Sequence, residues 1–412
     1  MTRFLARGAA AGALVLGGCA SYAPPVPLEL FVNGDLESVR SFFDEQVREG
    51  DVENGALFLN GLAQVDLYEG DYETARRRFE TAGRVMGNWA TSGGEAAGAV
   101  IGSESSKTWK GDPHEKAMNA FYAGVLYWMR GEADNARAAF RRGILADGES
   151  DEGHWQVDFS LLYWLAGRAS LEMGLPGDAE GLFEEARVAR AFAVEHGARG
   201  ASSAPILTDP ARGNLIVLAE LGLGPRKVAA GPHGALAAIQ PRPVMVSDAE
   251  VFVDGASVGR TTLLADLDYQ ALTRGGAAME GIREGKAVFK DVTGVSGMLL
   301  LAEGLEDHGA GQRDKLIVGG ALLLASLFTS AEADTRHWET LPQMVHALTA
   351  EVLPGRHEVR IEFFRPGGAR EPAMTQIRTI DVEDRRDAIL LFRSMPGPRS
   401  RPVSAPIHET IP

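Results

Sequence analysis

Hydrophobic residues in the first half of the chain fall at helical spacing, and in the second half they turn to alternation. "LESVRSFFDEQVREG" carries an amphipathic period and predicts a helix over Leu30 to Glu49. Three later stretches share one pattern: a glycine, an alanine five residues on, and a phenylalanine four further. They are Gly70, Ala75 and Phe79, then Gly131, Ala136 and Phe140, then Gly174, Ala179 and Phe183. A small residue stands twelve positions before each alanine: Ala63, Gly124 and Gly167. Facing small residues let two helices cross closely, and the glycine ends the first helix where a positive φ is often needed. The phenylalanine fills the space against the next hairpin. Each helix–turn–helix unit has an apolar face it cannot bury alone, so the three are expected to stack.

These units resemble tetratricopeptide repeats. The alanines are 61 and then 43 residues apart, so the units are irregular relatives of a repeat whose usual period is about 34. Ordinary helical hairpins without repeat ancestry are the plainer alternative. The first gap, "MGNWATSGGEAAGAVIGSESSKTWKGDPHEK", reads as a glycine- and serine-rich excursion. The resemblance implies a concave, partner-binding surface lined by first-helix side chains. In that register these include Asn60, Gln64, Phe121, Val125, Trp128, Trp164, Arg168 and Leu171.

Beyond the third unit the pattern changes. "GARGASSAPILTDPARG" and "GLGPRKVAAGPHG" bracket a short apolar segment, "NLIVLAE", and their glycines and prolines place a boundary near residues 225 to 235. "AEVFVDGASVGRTTL" then carries a strand and the turn pair Asp254-Gly255. "LPGRHEVRIEFFRPGG" alternates Val359, Ile361 and Phe363 with Glu358, Arg360 and Glu362, a half-buried strand. "TIDVEDRRDAILLFRS" predicts one or two more strands. Residues 263–350 read as a helical insertion. Its apolar run, Leu316 to Phe328, is 13 residues long. As a helix it would span about 20 Å, against about 30 Å of hydrocarbon. It is read as a buried helix, the alternative being a segment that dips into a membrane.

Composition narrows the function classes. The formal charge of −15 disfavours nucleic acid as a partner. A single cysteine allows neither an internal disulfide nor a cysteine-rich zinc site. That cysteine, Cys19, follows "MTRFLARGAAAGALVLGG", which has basic Arg3 and Arg7, a small and apolar run, and Gly17-Gly18. Leu16, Gly17, Gly18 and Cys19 resemble a bacterial lipobox. The resemblance implies a signal peptide over 1–18, cleavage before Cys19, and palmitate or a similar acyl group on that residue. Cleavage would remove Arg3 and Arg7 and take the charge from −15 to −17. Several chains anchor stably where one is marginal, at about 0.8 kcal/mol per buried methylene. No aspartate follows Cys19, which by analogy with enterobacterial sorting favours a periplasm-facing outer-membrane location. Residues 19–29, with Pro24 and Pro25, read as an extended tether.

No catalytic signature is present: no G-x-S-x-G, H-E-x-x-H or G-x-x-x-x-G-K-[ST]. His337, His346 and His357 are not at metal-ligand spacing, and no metal or cofactor is expected. Two polar clusters stand out. "EADTRHWETLP" offers Asp334, Arg336, His337 and Trp338, either as a structural staple or as a ligand or catalytic site. A geometric criterion separates the two: an open pocket with unpaired polar atoms favours the site, and Arg336 closed in an ion pair under packed Trp338 favours the staple. "KTWKGDPHEKAMNAFYAG" places Asp112, Pro113 and Glu115 where a helix starts, with capping as the simplest role.

In sum the chain reads as α+β: an N-terminal tetratricopeptide-like α-solenoid over 30–230, then a small β-sheet domain over 231–396 with a helical insertion, and a proline-rich, disordered tail over 397–412. The lipobox, "WKGDPHEKAMNAFYAGVLYWMRGEADNARAAFRRG", "NLIVLAELGLGPRK", "ADTRHWETLP" and "LPGRHEVRIEF" resemble, in order, a family of bacterial tetratricopeptide-like lipoproteins. "VFVDGASVGRT" and "LPGRHEVRIEF" are similar to the two halves of a PEGA-type β-domain, here about 90 residues apart. The expected function is a lipid-anchored envelope scaffold that binds a protein partner. The alternative is an enzyme or small-ligand binder built on Asp334 to Trp338.

Overall fold

The structure is a computed structural model and describes residues 23–87, 108–148, 158–230, 236–274, 334–384 and 386–397. The expected first helix is two helices, α1 (Leu28–Val32) and α2 (Leu36–Glu49). Between them Gly34 adopts φ +75°, and Asp35 caps α2 by accepting from the Ser38 N–H. Three antiparallel hairpins follow: α3 (Gly55–Glu69) with α4 (Tyr72–Met86), α5 (Pro113–Met129) with α6 (Ala133–Asp147), and α7 (Ser160–Glu172) with α8 (Pro176–Glu195). Gly70, Gly131 and Gly174 all take positive φ where the first helix of each pair ends. Ala75, Ala136 and Ala179 are fully buried, as are Phe79 and Phe140. A Cβ on Gly124 would collide with the Phe140 ring, and one on Gly167 with the Phe183 ring. In the second and third pairs the two helices therefore cross only because those side chains are missing.

A short helix, α9 (Pro205–Thr208), leads into a region with ten strands among the described residues. They are β1 (Leu215–Leu221), β2 (Arg226–Ala230), β3 (Leu236–Gln240), β4 (Asp248–Val253), β5 (Ala256–Arg260), β6 (Thr262–Asp266), β7 (Met344–Ala350), β8 (Gly355–Phe364), β9 (Gln376–Val382) and β10 (Ala388–Arg393). Helix α10 (Leu267–Arg274) follows β6. A central sheet has the order β10-β1-β7-β6, with β1 and β10 parallel and the other pairs antiparallel. A second, antiparallel sheet has the order β5-β4-β8-β9, and β2 and β3 form a separate ribbon.

The described residues stack in three layers. One face of the central sheet, with Ile216, Leu218, Val345, Ala347, Ile389 and Leu391, shares a core with the helices. The other face, with Leu215, Val217, Ala219, Leu390 and Phe392, packs on Val251, Val359, Ile361 and Phe363 of the second sheet. Strand β1 is buried on both faces, so it reads as a continuous apolar run.

Several boundaries move. Strand β1, which starts at Leu215, ahead of the 225–235 boundary region, lies inside the central sheet between β10 and β7. The span 263–350 holds two adjacent strands, β6 and β7, so it is not helical throughout. Residues 275–333, with the apolar run 316–328, lie outside the described residues, as do Cys19 and residues 398–412. Among the described residues no helix is long and apolar enough to cross a membrane. Asp254 and Gly255 make the β4–β5 turn with φ of 50° and 85°. The two distant stretches flanking the insertion pair directly, Val251 opposite Ile361.

Candidate functional site

The two polar clusters, more than 200 residues apart in sequence, meet at one junction between the helices and the sheets. Helix α5 starts at a capping box: Pro113 is its first residue, and Glu115 Oε2 accepts the Asp112 N–H at 2.6 Å. The other oxygen, Oε1, accepts the backbone N–H of Trp338 at 2.6 Å. Lys227, on β2, reaches Asp112 at 2.7 Å. With His114 and His337 these residues surround a cavity of about 10 Å³, room for about one water molecule. Two buried ring nitrogens of these residues, His114 Nδ1 and His337 Nε2, have no hydrogen-bond partner.

Electrostatics divides the charges. Burial holds His114 and His337 at about 4, so both rings are neutral at pH 7. Burial works against charge on Asp112 too, but Lys227 outweighs it and keeps that pKa below the usual carboxylate range. Burial and the charge on Asp112 push Glu115 up to about 7. Lys227 therefore neutralises the nearer carboxylate, and Glu115 carries the desolvation.

Arg336 is closed. It makes a two-pronged pair with Asp334, at 2.8 and 2.6 Å, and donates to Asn54 at 3.1 Å. Trp338 is buried, its ring near Tyr122 and Phe79. Its Nε1–H donates to Gln64 at 2.7 Å and to Thr340 at 3.0 Å. By the geometric criterion stated above, Asp334, Arg336 and Trp338 form a staple. His337 and His114, each with one unpaired nitrogen, line the one-water cavity. Among the described residues no group of three or more His, Cys, Asp or Glu is placed to hold a metal ion. His346 sits apart in β7 against Thr261, and His357 pairs with Asp254 on the second sheet.

The expected concave surface is not open. Asn60, Gln64, Phe121, Val125, Trp128, Trp164 and Arg168 are buried, and Leu171 is half-buried against the core. The chain's own sheet unit fills the groove, because an apolar hairpin face and an apolar sheet face bury each other. Gln64 donates to Tyr122 and accepts from Trp338. Asn60 accepts from Asn119, and Trp128 donates to Glu172. Trp164 donates to the Pro210 carbonyl, and Arg168 to the carbonyls of Pro210, Arg212 and Gly213. Arg168 also pairs with Asp387 at 2.6 Å. The polar groove side chains thus bind the same chain's later residues.

Sequence reading missed the centre of this junction. Glu220 on β1 is fully buried and accepts hydrogen bonds from both Tyr68 and Tyr122. Burial raises its pKa, while Arg393 and the two phenols oppose that. The available signal was the lone acid in "NLIVLAEL", since a charge within a buried run needs partners.

No family model matches the chain, and none of the curated proteins does. Among solved structures, the crystal structure of MamA matches 40% of this chain and 75% of its own length, at 16% identity and a TM-score of 0.28.

Proposed function

We propose that this protein is a lipid-anchored scaffold of the bacterial envelope, facing the periplasm from the outer membrane and binding a protein partner through a tetratricopeptide-like helical unit. The observation that carries the reading is the threefold recurrence of one packing device. Glycine turn, buried alanine and wedged phenylalanine occupy the same places in three successive hairpins. Stacked hairpins of this kind present extended surfaces suited to protein recognition. The lipobox at Leu16 to Cys19 supports the anchor.

With the groove occupied, the surface assigned to the partner in this reading is the outer face of the second helices. Exposed Arg77 and Arg84 on α4, Arg141 and Leu145 on α6, and Glu184 and Val188 on α8 lie there. Two experiments test the reading. Radiolabelled palmitate should enter the wild type and be lost in Cys19→Ala; labelling that persists in the variant sinks the anchor. Periplasmic crosslinking with the acylated protein should recover a specific protein, and Arg84→Glu with Arg141→Glu should reduce that recovery at least severalfold. Retention of a small metabolite with no specific protein would overturn the scaffold.

A further inference from the structure

The chain is docked on the body from Ala23 onward, much earlier than a tether over residues 19–29 requires. Ala23 and Val26 pack on the core shared by helices and sheet. The Val26 N–H donates to Glu339 Oε1 at 3.1 Å, joining the N-terminal segment to the "ADTRHWETLP" loop. That loop is itself immobilised: Arg336 by Asp334 and Asn54, the Trp338 backbone by Glu115, and the Trp338 ring by Gln64. Five residues after Val26, Phe31 is 1% exposed, next to the Tyr68 ring and beneath the Arg393 guanidinium. Only Ala20, Ser21 and Tyr22 separate Cys19 from this docked segment. Four extended residue steps reach at most about 14 Å.

We propose that the loop around Glu339 is a clasp that receives the N-terminal segment just after its acylated cysteine, so that the body lies flush on the phospholipid surface in one orientation. The proposal rests on acylation of Cys19. A free eleven-residue tether would let the body tumble, whereas a clasped one leaves about 14 Å of slack. This gives the Asp334-to-Glu339 loop a role beyond the staple: it sets where the anchor leaves the molecule. The surface around Ala23 then faces lipid headgroups. The outer end of the hairpin series, at α8, lies three hairpins away, on the order of 30 Å at about 10 Å per helix layer.

Energy transfer from single labels to headgroup-labelled phospholipid tests this in reconstituted vesicles of phosphatidylethanolamine and phosphatidylglycerol. Acylation blocks the one native thiol, so an introduced cysteine is labelled alone. Exposed Pro25→Cys lies within about 21 Å of the acylated residue, and exposed Val188→Cys lies on α8. The label at 25 should transfer at least about twofold more efficiently than the label at 188. Inserting about ten Gly and Ser residues after Ser21 should abolish the difference, and Glu339→Ala should narrow it with the circular dichroism unchanged. Equal transfer from the two labels in the uninserted protein overturns the clasp while leaving the anchor standing. A difference untouched by Glu339→Ala also overturns it. Absence of palmitate from the same preparations removes the anchor reading and the clasp together.

Discussion

Glu220 shows how much one side chain carries when it is fully enclosed. Two phenols satisfy its oxygens, and Arg393 lies close enough to stabilise its charge. Glu220→Ala would leave Tyr68 and Tyr122 as buried unpaired donors, and should cost about 3 kcal/mol in urea unfolding. His346 makes a separate prediction about pH. Burial lowers its folded pKa from 6.5 to about 3, so the ring is neutral in the native state. Its contribution is present above pH 6.5 and is lost as pH falls toward 3, at about 1.4 kcal/mol per pH unit. His114 and His337 act in the same direction down to about 4. Glu115, raised to about 7, acts oppositely: its contribution is complete below pH 4.5 and is lost as pH rises to 7. Urea midpoints between pH 7.5 and 5 should therefore fall in the wild type and fall less steeply, by about one proton, in His346→Gln. An unchanged slope would place that proton elsewhere.

At the scale of elements, the hairpins depend on side chains that are absent. Gly167→Ala forces α7 away from the Phe183 ring, and Gly124→Ala does the same at Phe140. Each should cost about 1–3 kcal/mol by overpacking, read as a lower urea midpoint with an unchanged m-value. These positions were legible because a 3.6-residue period and a fixed glycine–alanine–phenylalanine offset survive in sequence whatever lies around the hairpin. The β4–β5 turn was legible for a similar local reason, since Asp254 and Gly255 supply the positive φ that a two-residue turn demands. Strand β1 was not. "LIVLAEL" is apolar without alternation, and such a run is compatible with a buried strand or a short buried helix until its neighbours are known. The break between α1 and α2 went unread because Asn33-Gly34-Asp35 interrupts an apolar period that continues on both sides.

At the scale of the molecule, Arg168 ties the third hairpin to the sheets. It is buried, paired with Asp387 across more than 200 residues, and donates to three loop carbonyls. Arg168→Ala would leave Asp387 uncompensated, and should cost about 3–5 kcal/mol. Limited proteolysis should then cut the loop over residues 209–213 faster than in the wild type; equal rates would show that the loop is held by packing alone. Sequence had assigned Arg168 and its groove neighbours to an external partner. Here those side chains are engaged by later residues of the same chain. Nothing local distinguishes a groove awaiting another protein from one filled by residues that come later in the same chain.

The sequence by itself determined the three hairpins, their glycine turns and the turn at Asp254-Gly255, because each depends on residues near one another along the chain. Only the tertiary structure decided that β1 joins the central sheet, that the two polar clusters close one junction, and that the groove is occupied. Those outcomes depend on which apolar faces find each other. Burial of apolar surface is non-directional, so its partners are chosen by the whole fold and leave no mark in a local pattern.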